Sequence, residues 1–347
     1  MKALKLVPLS CLCFLVLVSS LCSICFCNQN SDPVLCVPIE RSALMDLKNN
    51  LTKPYIFLGR QRLLQLVWCD LHDDGDSLHS KSLKWLKNLK GLRQLDISYI
   101  DLAKALDWFS VISNLTSLLE LHFSHCGLNR LPSNPTKVSL TSLIVLDLSN
   151  NYFDGMLLPG WIFRLHNLAS LDLSYCGISG VNPETHGGFH SMPSLRTLRV
   201  SGNNFMNSLS LLNGLSSLSN LRVLDVSSCD IYSPILGNLH NLSLIEYLDL
   251  SLNFIVEEIP KSLSNLCNFT TLNLEYNSFS GNVSELLERF CECESPKLES
   301  LALGDNYLIG HLPERLEQLK NLVSFKISSF LYSTVSVNMN FTFFDEE

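Results

Sequence analysis

One phrase recurs ten times from Leu92 onward: leucine, two variable residues, leucine, one variable residue, leucine, two variable residues, then usually Asn or Cys. The fullest copy runs Leu143-Ile-Val-Leu146-Asp-Leu148-Ser-Asn-Asn151. The copies start at Leu92, Leu118, Leu143, Leu168, Leu195, Leu221, Ile245, Phe269, Leu298 and Leu322, in steps of 24 to 29 residues. The Leu-x-Leu segment alternates like a short strand, so Leu146 and Leu148 face one way and Asp147 the other. A single copy is too small to bury its own leucines. Copies must therefore stack, each covering the apolar face of the next, and the chain grows by added turns rather than around one compact centre.

Period and leucine spacing are those of a leucine-rich repeat. The fold class expected is an α/β-type solenoid, a curved scaffold with a parallel sheet on its concave side and irregular or 3-10 segments on its convex side. The Asn after the strand, at Asn151, Asn203, Asn253, Asn277 and Asn306, should turn inward and satisfy loop backbone groups, since a buried amide is costly without partners. Cys126, Cys176 and Cys229 hold that place in three turns, where they fit as small buried packing residues with no disulfide or metal role.

Leucine-laden turns account for 46% hydrophobic against 17% charged residues. The net charge is −8, with no basic run and no basic-aromatic patch, which argues against a nucleic-acid partner. Residues 1–27 differ in kind. Lys2 and Lys5 precede an apolar stretch from Leu6 to Phe26, and the polar run Asn28-Gln-Asn-Ser-Asp32 follows. This reads as a signal peptide cleaved near Cys27, with an uncleaved membrane anchor as the alternative. No later segment has 18 consecutive apolar residues, so no other membrane span is expected. Secretion makes six Asn-x-Ser/Thr triplets candidate glycosylation sites: Asn50, Asn114, Asn241, Asn268, Asn282 and Asn340. Asn114 and Asn241 each stand four residues before a repeat start, a station away from the concave sheet.

Residues 28–91 read as an N-terminal cap region with a degenerate first repeat. Ile39 to Leu51 has the spacing of a short amphipathic helix that would cover the open end of the first turn. Leu63, Leu66 and Trp68 suggest a degenerate strand, and His72 to Asp76 a solvated loop. The repeats fill 92–329. Residues 330–347 put Phe330 in the Asn place and carry no repeat logic, so they should add no stable turn.

Behind the strand, two copies approach a Gly-x-Ile-Pro form: Glu258-Ile259-Pro260-Lys-Ser-Leu263 and Gly310-His-Leu312-Pro313-Glu-Arg-Leu316. That form resembles the plant-specific class of leucine-rich repeat. The segment Cys36-Val-Pro-Ile-Glu40-Arg41-Ser-Ala43-Leu44 resembles the plant N-terminal cap. Leu83-Lys-Trp85-Leu86, Asp107-Trp108-Phe109 and Leu121-His-Phe123-Ser-His-Cys126-Gly-Leu128 resemble one subgroup of plant receptor-like proteins, related to the receptors for fungal ethylene-inducing xylanase. The resemblance runs from about Cys36 to Ser329. It implies an extracellular recognition module, in defence or development, that binds a peptide, protein or glycan and signals through partners such as a co-receptor kinase. Members of that family sit on the extracellular face of the plasma membrane. The family's further repeats, C-terminal cysteine cap and membrane helix do not follow Ser329, and only Trp68-Cys69 remains of the cap's later part, so a truncated member is expected. The alternative is a secreted inhibitor of cell-wall-degrading enzymes, resembling polygalacturonase-inhibiting proteins, which carry cysteine caps at both ends. The subgroup also has cysteines at stations like those of Cys267 and Cys293, which flank the 29-residue step. In an oxidising compartment these imply a disulfide, with Cys291 as competitor and Cys36–Cys69 as a second bridge.

No hydrolase, metalloprotease, phosphate-loop, dinucleotide or kinase motif occurs, so neither catalysis nor a cofactor is expected. Glu184, His186 and His190 form the one metal-like cluster, but Gly187-Gly188 opposes the helix that would align them, and a polar loop is the plainer reading. The outward residues between the inner leucines are Asp96, His122, Asp147, Asp172, Arg199, Asp225, Asp249, Asn273, Ala302 and Lys326. On neighbouring strands about 4.8 Å apart they should form a ladder on the concave face. Asp96, His122, Asp147, Asp172, Arg199, Asp225 and Asp249, with the aromatics Tyr99, Tyr175, Tyr247 and Tyr276, are the candidate ligand contacts; a solvated polar stripe is the alternative. His122, bracketed by Asp96 and Asp147, should favour its protonated form and make binding depend on pH.

Overall fold

The computed structural model describes residues 57–58, 63–65 and 79–327, apart from 134, 136–137, 183–187, 207–213, 233, 240–241, 261–262 and 264–266. In chain order the strands are β1 (Phe57–Leu58), β2 (Leu63–Gln65), β3 (Gln94–Asp96), β4 (Glu120–His122), β5 (Val145–Asp147), β6 (Leu157–Leu158), β7 (Ser170–Asp172), β8 (Gly180–Val181) and β9 (Thr197–Arg199). They continue with β10 (Val223–Asp225), β11 (Tyr247–Asp249), β12 (Val256–Glu258), β13 (Thr271–Asn273), β14 (Ser278–Asn282), β15 (Ser300–Ala302), β16 (Tyr307–Ile309) and β17 (Ser324–Lys326). Among the described residues, helices α1 (Trp108–Ile112) and α2 (Val283–Cys291) interrupt them.

The chain packs as two units, one of residues 1–154 and 164–176, the other of 155–163 and 177–347. In the first, β2, β3, β4, β5 and β7 run parallel, and β1 joins β2 antiparallel. In the second, β9, β10, β11, β13, β15 and β17 run parallel. Register is set by the leucines. Leu95, Leu121, Leu146 and Leu171 stand opposite one another in the first unit, and Leu198, Leu224, Leu248, Leu272 and Leu301 in the second. All nine are buried, so a slip of one residue would expose the whole row.

Several turns close behind the strand with short 3-10 segments, among them Lys84–Asn88, Ile162–Arg164, Leu236–Leu239 and Glu314–Gln318. Rings fill the space that leucine leaves: Trp108 packs on Phe109 and Phe123 in the first unit, and Phe163 meets Phe189 edge-on in the second. Asp107, just before α1, accepts hydrogen bonds from Ser82 Oγ at 2.5 Å and Leu83 N at 3.2 Å, tying that turn to the preceding one.

The inward Asn behaves as a backbone connector. Asn151 accepts from the amides of Cys126 (3.2 Å) and Leu128 (2.9 Å) and donates to the carbonyls of Phe123 (2.8 Å) and Leu148 (2.7 Å). Asn253 repeats the pattern with Cys229, Ile231, Val226 and Leu250. In the cysteine turns, the thiols of Cys126, Cys176 and Cys229 donate to the carbonyls of Ile97, Leu148 and Val200 at 3.1–3.3 Å. Burial pushes all three thiols up to about 12, so they are protonated donors.

A feature the repeat phrase does not announce is a second layer of strands behind the first. β12, β14 and β16 form a parallel three-stranded sheet, and β6 pairs with β8. Cys267 and Cys293 are joined as a disulfide with a Cα–Cα distance of 5.8 Å, and Cys291 is a free, buried thiol. The expected signal segment, the expected helix over 39–51, Cys36 and Cys69, the sequons at Asn50, Asn241 and Asn340, Leu66, Trp68, residues 72–76, Glu184, His186 and the 330–347 tail lie outside the described residues. Among the described residues, no helix is long and apolar enough to cross a membrane, and no group of His, Cys, Asp or Glu is placed to hold a metal ion.

Candidate ligand-recognition face

The outward position of each strand carries the ladder residues. In the first unit, Asp96, His122, Asp147 and Asp172 stand in register on β3, β4, β5 and β7. His122 Nδ1 lies 3.7 Å from Asp147 Oδ2, and Nε2 lies 4.0 Å from Glu120 Oε2. Asp147 is the main cause of a pKa raised above the ordinary imidazole value; partial burial works against it, and the charges of Asp96 and Glu120 add to the rise. At Asp147 burial pushes the carboxyl up, but His122 and the two hydrogen bonds from Ser149 outweigh it and hold the carboxyl below its usual range. Glu120, two residues before His122 on β4, shares its outward face by the same alternation, although the ladder of positions between the two inner leucines leaves it out.

Above this row runs a rim of residues with left-handed backbone: Tyr99 (φ 65°), His125 (φ 54°), Asn150 (φ 55°) and Tyr175 (φ 54°). Left-handed backbone at a tyrosine or histidine costs roughly 1–2 kcal/mol and is seldom tolerated without a reason in the surroundings. Here each turn needs it to swing the chain from strand to inward Asn. Tyr99 and His125 stack with ring centroids 4.6 Å apart, and Tyr99 and Tyr175 are exposed.

In the second unit Arg199, Asp225, Asp249 and Asn273 are in register on β9, β10, β11 and β13. Burial raises the Asp225 carboxyl, Asp249 adds to the rise and Arg199 opposes it. Asp249 departs from the expected solvated contact: it is only 9% exposed. One carboxylate oxygen accepts from Ser251 N (2.9 Å) and Ser251 Oγ (2.6 Å), the other from Asn273 Nδ2 (2.9 Å) and Tyr247 Oη (3.4 Å). Tyr247 is half-buried and its hydroxyl is pushed up to about 12 by burial and the neighbouring carboxylates. Ala302, expected on the outward row, is buried, whereas Tyr276 is exposed. Lys326 faces Glu275 at 3.8 Å.

The Asp stripe has a physical explanation of its own. Asp96, Asp147, Asp172, Asp225 and Asp249 each accept the backbone N–H two residues on, from Ser98, Ser149, Ser174, Ser227 and Ser251, at 2.9–3.1 Å. These are Asx turns, which end the strand and start the left-handed step. The recurring Asp-x-Ser triplet is their signal in the sequence. Asn273 continues the series with Glu275 N (3.2 Å), whereas His122, Arg199, Ala302 and Lys326 break it, and of these His122 and Arg199 are the polar positions inside the Asp stripe freed from that duty.

Stacked three-residue parallel strands, an inward Asn or Cys in the turns and a polar outward row together make this a leucine-rich-repeat fold. The Leucine Rich Repeat family model matches residues 142–165, 167–189 and 244–266, and a second Leucine Rich repeat model matches 217–235. The chain is similar in sequence to the plant receptor-like proteins: it is 33% identical to receptor-like protein EIX1 of Solanum lycopersicum over 146 residues, 41% of this chain and 14% of that protein. In structure it is similar to the Arabidopsis receptor kinase HAESA, solved with the peptide hormone IDA and the co-receptor SERK1 (TM-score 0.64, 19% identity, 84% of this chain and 54% of that one). It is also similar to a TDR receptor (TM-score 0.57, 26% identity, 70% and 40%). The match therefore spans about a seventh of the tomato relative's length.

Proposed function

We propose that this chain is the ligand-recognition part of an extracellular plant receptor-like protein, and that its ligand, a peptide or protein, meets the first unit's sheet face around His122. The observation that supports this most is the company His122 keeps. A titratable ring sits among Asp96, Glu120 and Asp147, below the exposed Tyr99–His125 stack, at a position where half of the ten turns place a structural Asp. Aromatic area beside a switchable charge is what an interface uses for anchoring and selectivity. The likeness to EIX1 supports the receptor-like reading, and the fold, by analogy only, is one that carries a peptide hormone and a co-receptor in HAESA. On this reading the module has no catalytic role, and signalling passes to a partner such as a co-receptor kinase. Protonation of His122 makes this acidic stretch less negative and so eases the approach of an acidic or neutral ligand at mildly acidic pH.

The test is site-specific photocrosslinking in plant extracellular fluid, with the probe at Tyr99, at Tyr175 or at Tyr152 off the face. A discrete adduct from the first two, weaker at pH 7.5 than at pH 5.5 and losing that difference in His122→Gln, is the expected result. Equal adducts from all three positions would overturn it.

A further inference from the structure

We infer that Asn282 carries an N-linked glycan, and that this glycan lies along a trough on the outer face of the three-stranded sheet and shields it. The inference rests on the extracellular reading above, because the transfer takes place in the secretory pathway.

Three of the sequon asparagines lie among the described residues. Asn114 donates its Nδ2 to the Ser110 carbonyl at 2.6 Å, and Asn268 donates its Nδ2 to the Ser243 carbonyl at 3.0 Å. A sugar on either would share the nitrogen with an existing bond. Asn282 is built differently. It is exposed and caps α2, its Oδ1 accepting from Ser284 N at 2.9 Å. No hydrogen bond holds its Nδ2 among the described residues. A glycosyl-asparagine keeps its carbonyl oxygen, so cap and sugar are compatible. The Ser284 hydroxyl donates to the His311 carbonyl (2.7 Å) and accepts the His311 N–H (2.8 Å), which fixes the cap against the next turn. A Cβ at Gly310 would collide with Asn282 Oδ1, so that close approach requires glycine.

The surface beside Asn282 explains why a sugar belongs there. Alternation puts Ser278, Ser280 and Asn282 of β14 on the outer face. Val256 and Glu258 of β12 stand on one side of them, and Tyr307 and Ile309 of β16 on the other. Val256 is 67% exposed, Tyr307 66% and Ile309 58%. Small hydroxyl residues thus floor a trough whose walls, two strand spacings apart, stand about 10 Å from each other. One wall offers a tyrosine ring and an isoleucine, the other a valine and a carboxylate, which suits a sugar's apolar faces and hydroxyl edges. Asn282 stands at one end of the floor, in register with Ile309. Beside it opens a cavity of about 130 Å³ lined by Glu258, Pro260, Asn282, Glu285 and Arg289 among others. Uncovered, this is apolar area of the kind that drives self-association.

The chemistry is ordinary amide glycosylation. Asn282 Nδ2 bonds to the anomeric carbon of an oligosaccharide carried on a lipid pyrophosphate. The carbon–oxygen bond to the pyrophosphate breaks, the lipid pyrophosphate leaves with that electron pair, and the amide gives up one proton to a base on the transferase.

The experiment uses the full chain secreted from plant cells. Glycopeptide mass spectrometry should find Asn282 occupied in most molecules. Removing the glycan from the folded protein with an amidase leaves Asp at position 282, which still caps α2. Hydroxyl-radical labelling of Tyr307 should then rise severalfold, while labelling of Tyr99 stays unchanged. Asn282→Asp should reproduce that pattern with an unaltered thermal midpoint, and Ser284→Thr should keep the glycan. A product glycosylated at other sequons but bare at Asn282 would overturn the inference alone, as would unchanged Tyr307 labelling after removal. A product with no glycan at any sequon would overturn the extracellular reading and this inference with it.

Discussion

At the scale of single residues, the outward row divides into groups that hold the turn and groups that are left to bind. Asp249 belongs to the first kind. Asp249→Ala leaves the buried Ser251 and the half-buried Asn273 and Tyr247 donors without their acceptor and should cost about 1–3 kcal/mol. Asp249→Asn should cost less, since Asn273 accepts the Glu275 N–H in the same way one turn on. Denaturant midpoints of the two variants check this ordering. His122 belongs to the second kind. Its folded pKa is raised, so the stability it contributes is fully present below the ordinary value of about 6.5 and fades as pH climbs through the raised folded value. Asp147 has the opposite sign: its lowered pKa gives stability that is present above about pH 4 and lost as pH falls through the folded value. Both side chains are partly solvated, so His122→Gln should cost under about 1 kcal/mol at pH 5.5 and nearly nothing at pH 8.5. A cost that grows with pH would contradict the pairing. The sequence shows His122 between two aspartates. It does not show Glu120, because a strand's second outward position depends on how far the neighbouring turns leave it open.

At the scale of elements, the main strands are legible in the sequence because their leucines recur with the alternation of a half-buried strand. The second sheet is not. β12 reads Val-Glu-Glu and β14 reads Ser-Phe-Ser-Gly-Asn, with a single buried ring between them, so neither has a periodic signal. What makes them strands is pairing with the turn before and after, a tertiary cause. The same holds for Glu257, whose carboxylate accepts from the amides of Ile235 (2.9 Å), Leu236 (3.0 Å) and Gly237 (3.2 Å) and so closes the start of a 3-10 segment one turn back. α2 is legible in part, as the insertion behind the longest step between repeats. The disulfide anchors its far end to the preceding turn, while Cys291 faces onward and donates to the Arg315 carbonyl at 3.3 Å. The two cysteines therefore have unequal roles. Cys293→Ser should lower stability by about 3 kcal/mol, the loop-closure term for a bridge of this span. Cys291→Ser should cost about 1 kcal/mol or less, the worth of one weak hydrogen bond. Thermal midpoints under oxidising conditions would separate them, and equal losses would mean that Cys291 shares the bridge.

At the scale of the molecule, stacking decides how far a perturbation travels. In a compact domain a cavity is felt throughout, because one core is shared. In repeated turns, each inner leucine touches its own turn and the two beside it, so stability is a sum of local and nearest-neighbour contributions. The repeat phrase makes this legible from the amino acids alone, since its spacing and its row of leucines require stacking. It leaves open where along the chain packing is densest, because rings such as Phe163, Phe189 and Phe279 enter from outside the phrase. Leu146 gives the sharpest test. It is 1% exposed, in register with Leu121 and Leu171, and its removal opens a cavity among strands that have no alternative packing. Leu146→Ala should lower stability by about 2–5 kcal/mol. The loss should be local: amide-exchange protection should fall most in β4, β5 and β7 and remain at parent values in β11, β13 and β15. Exchange that rises equally in β13 and in β5 would show that the turns open as one cooperative body, and the additive picture of the stack would then fail.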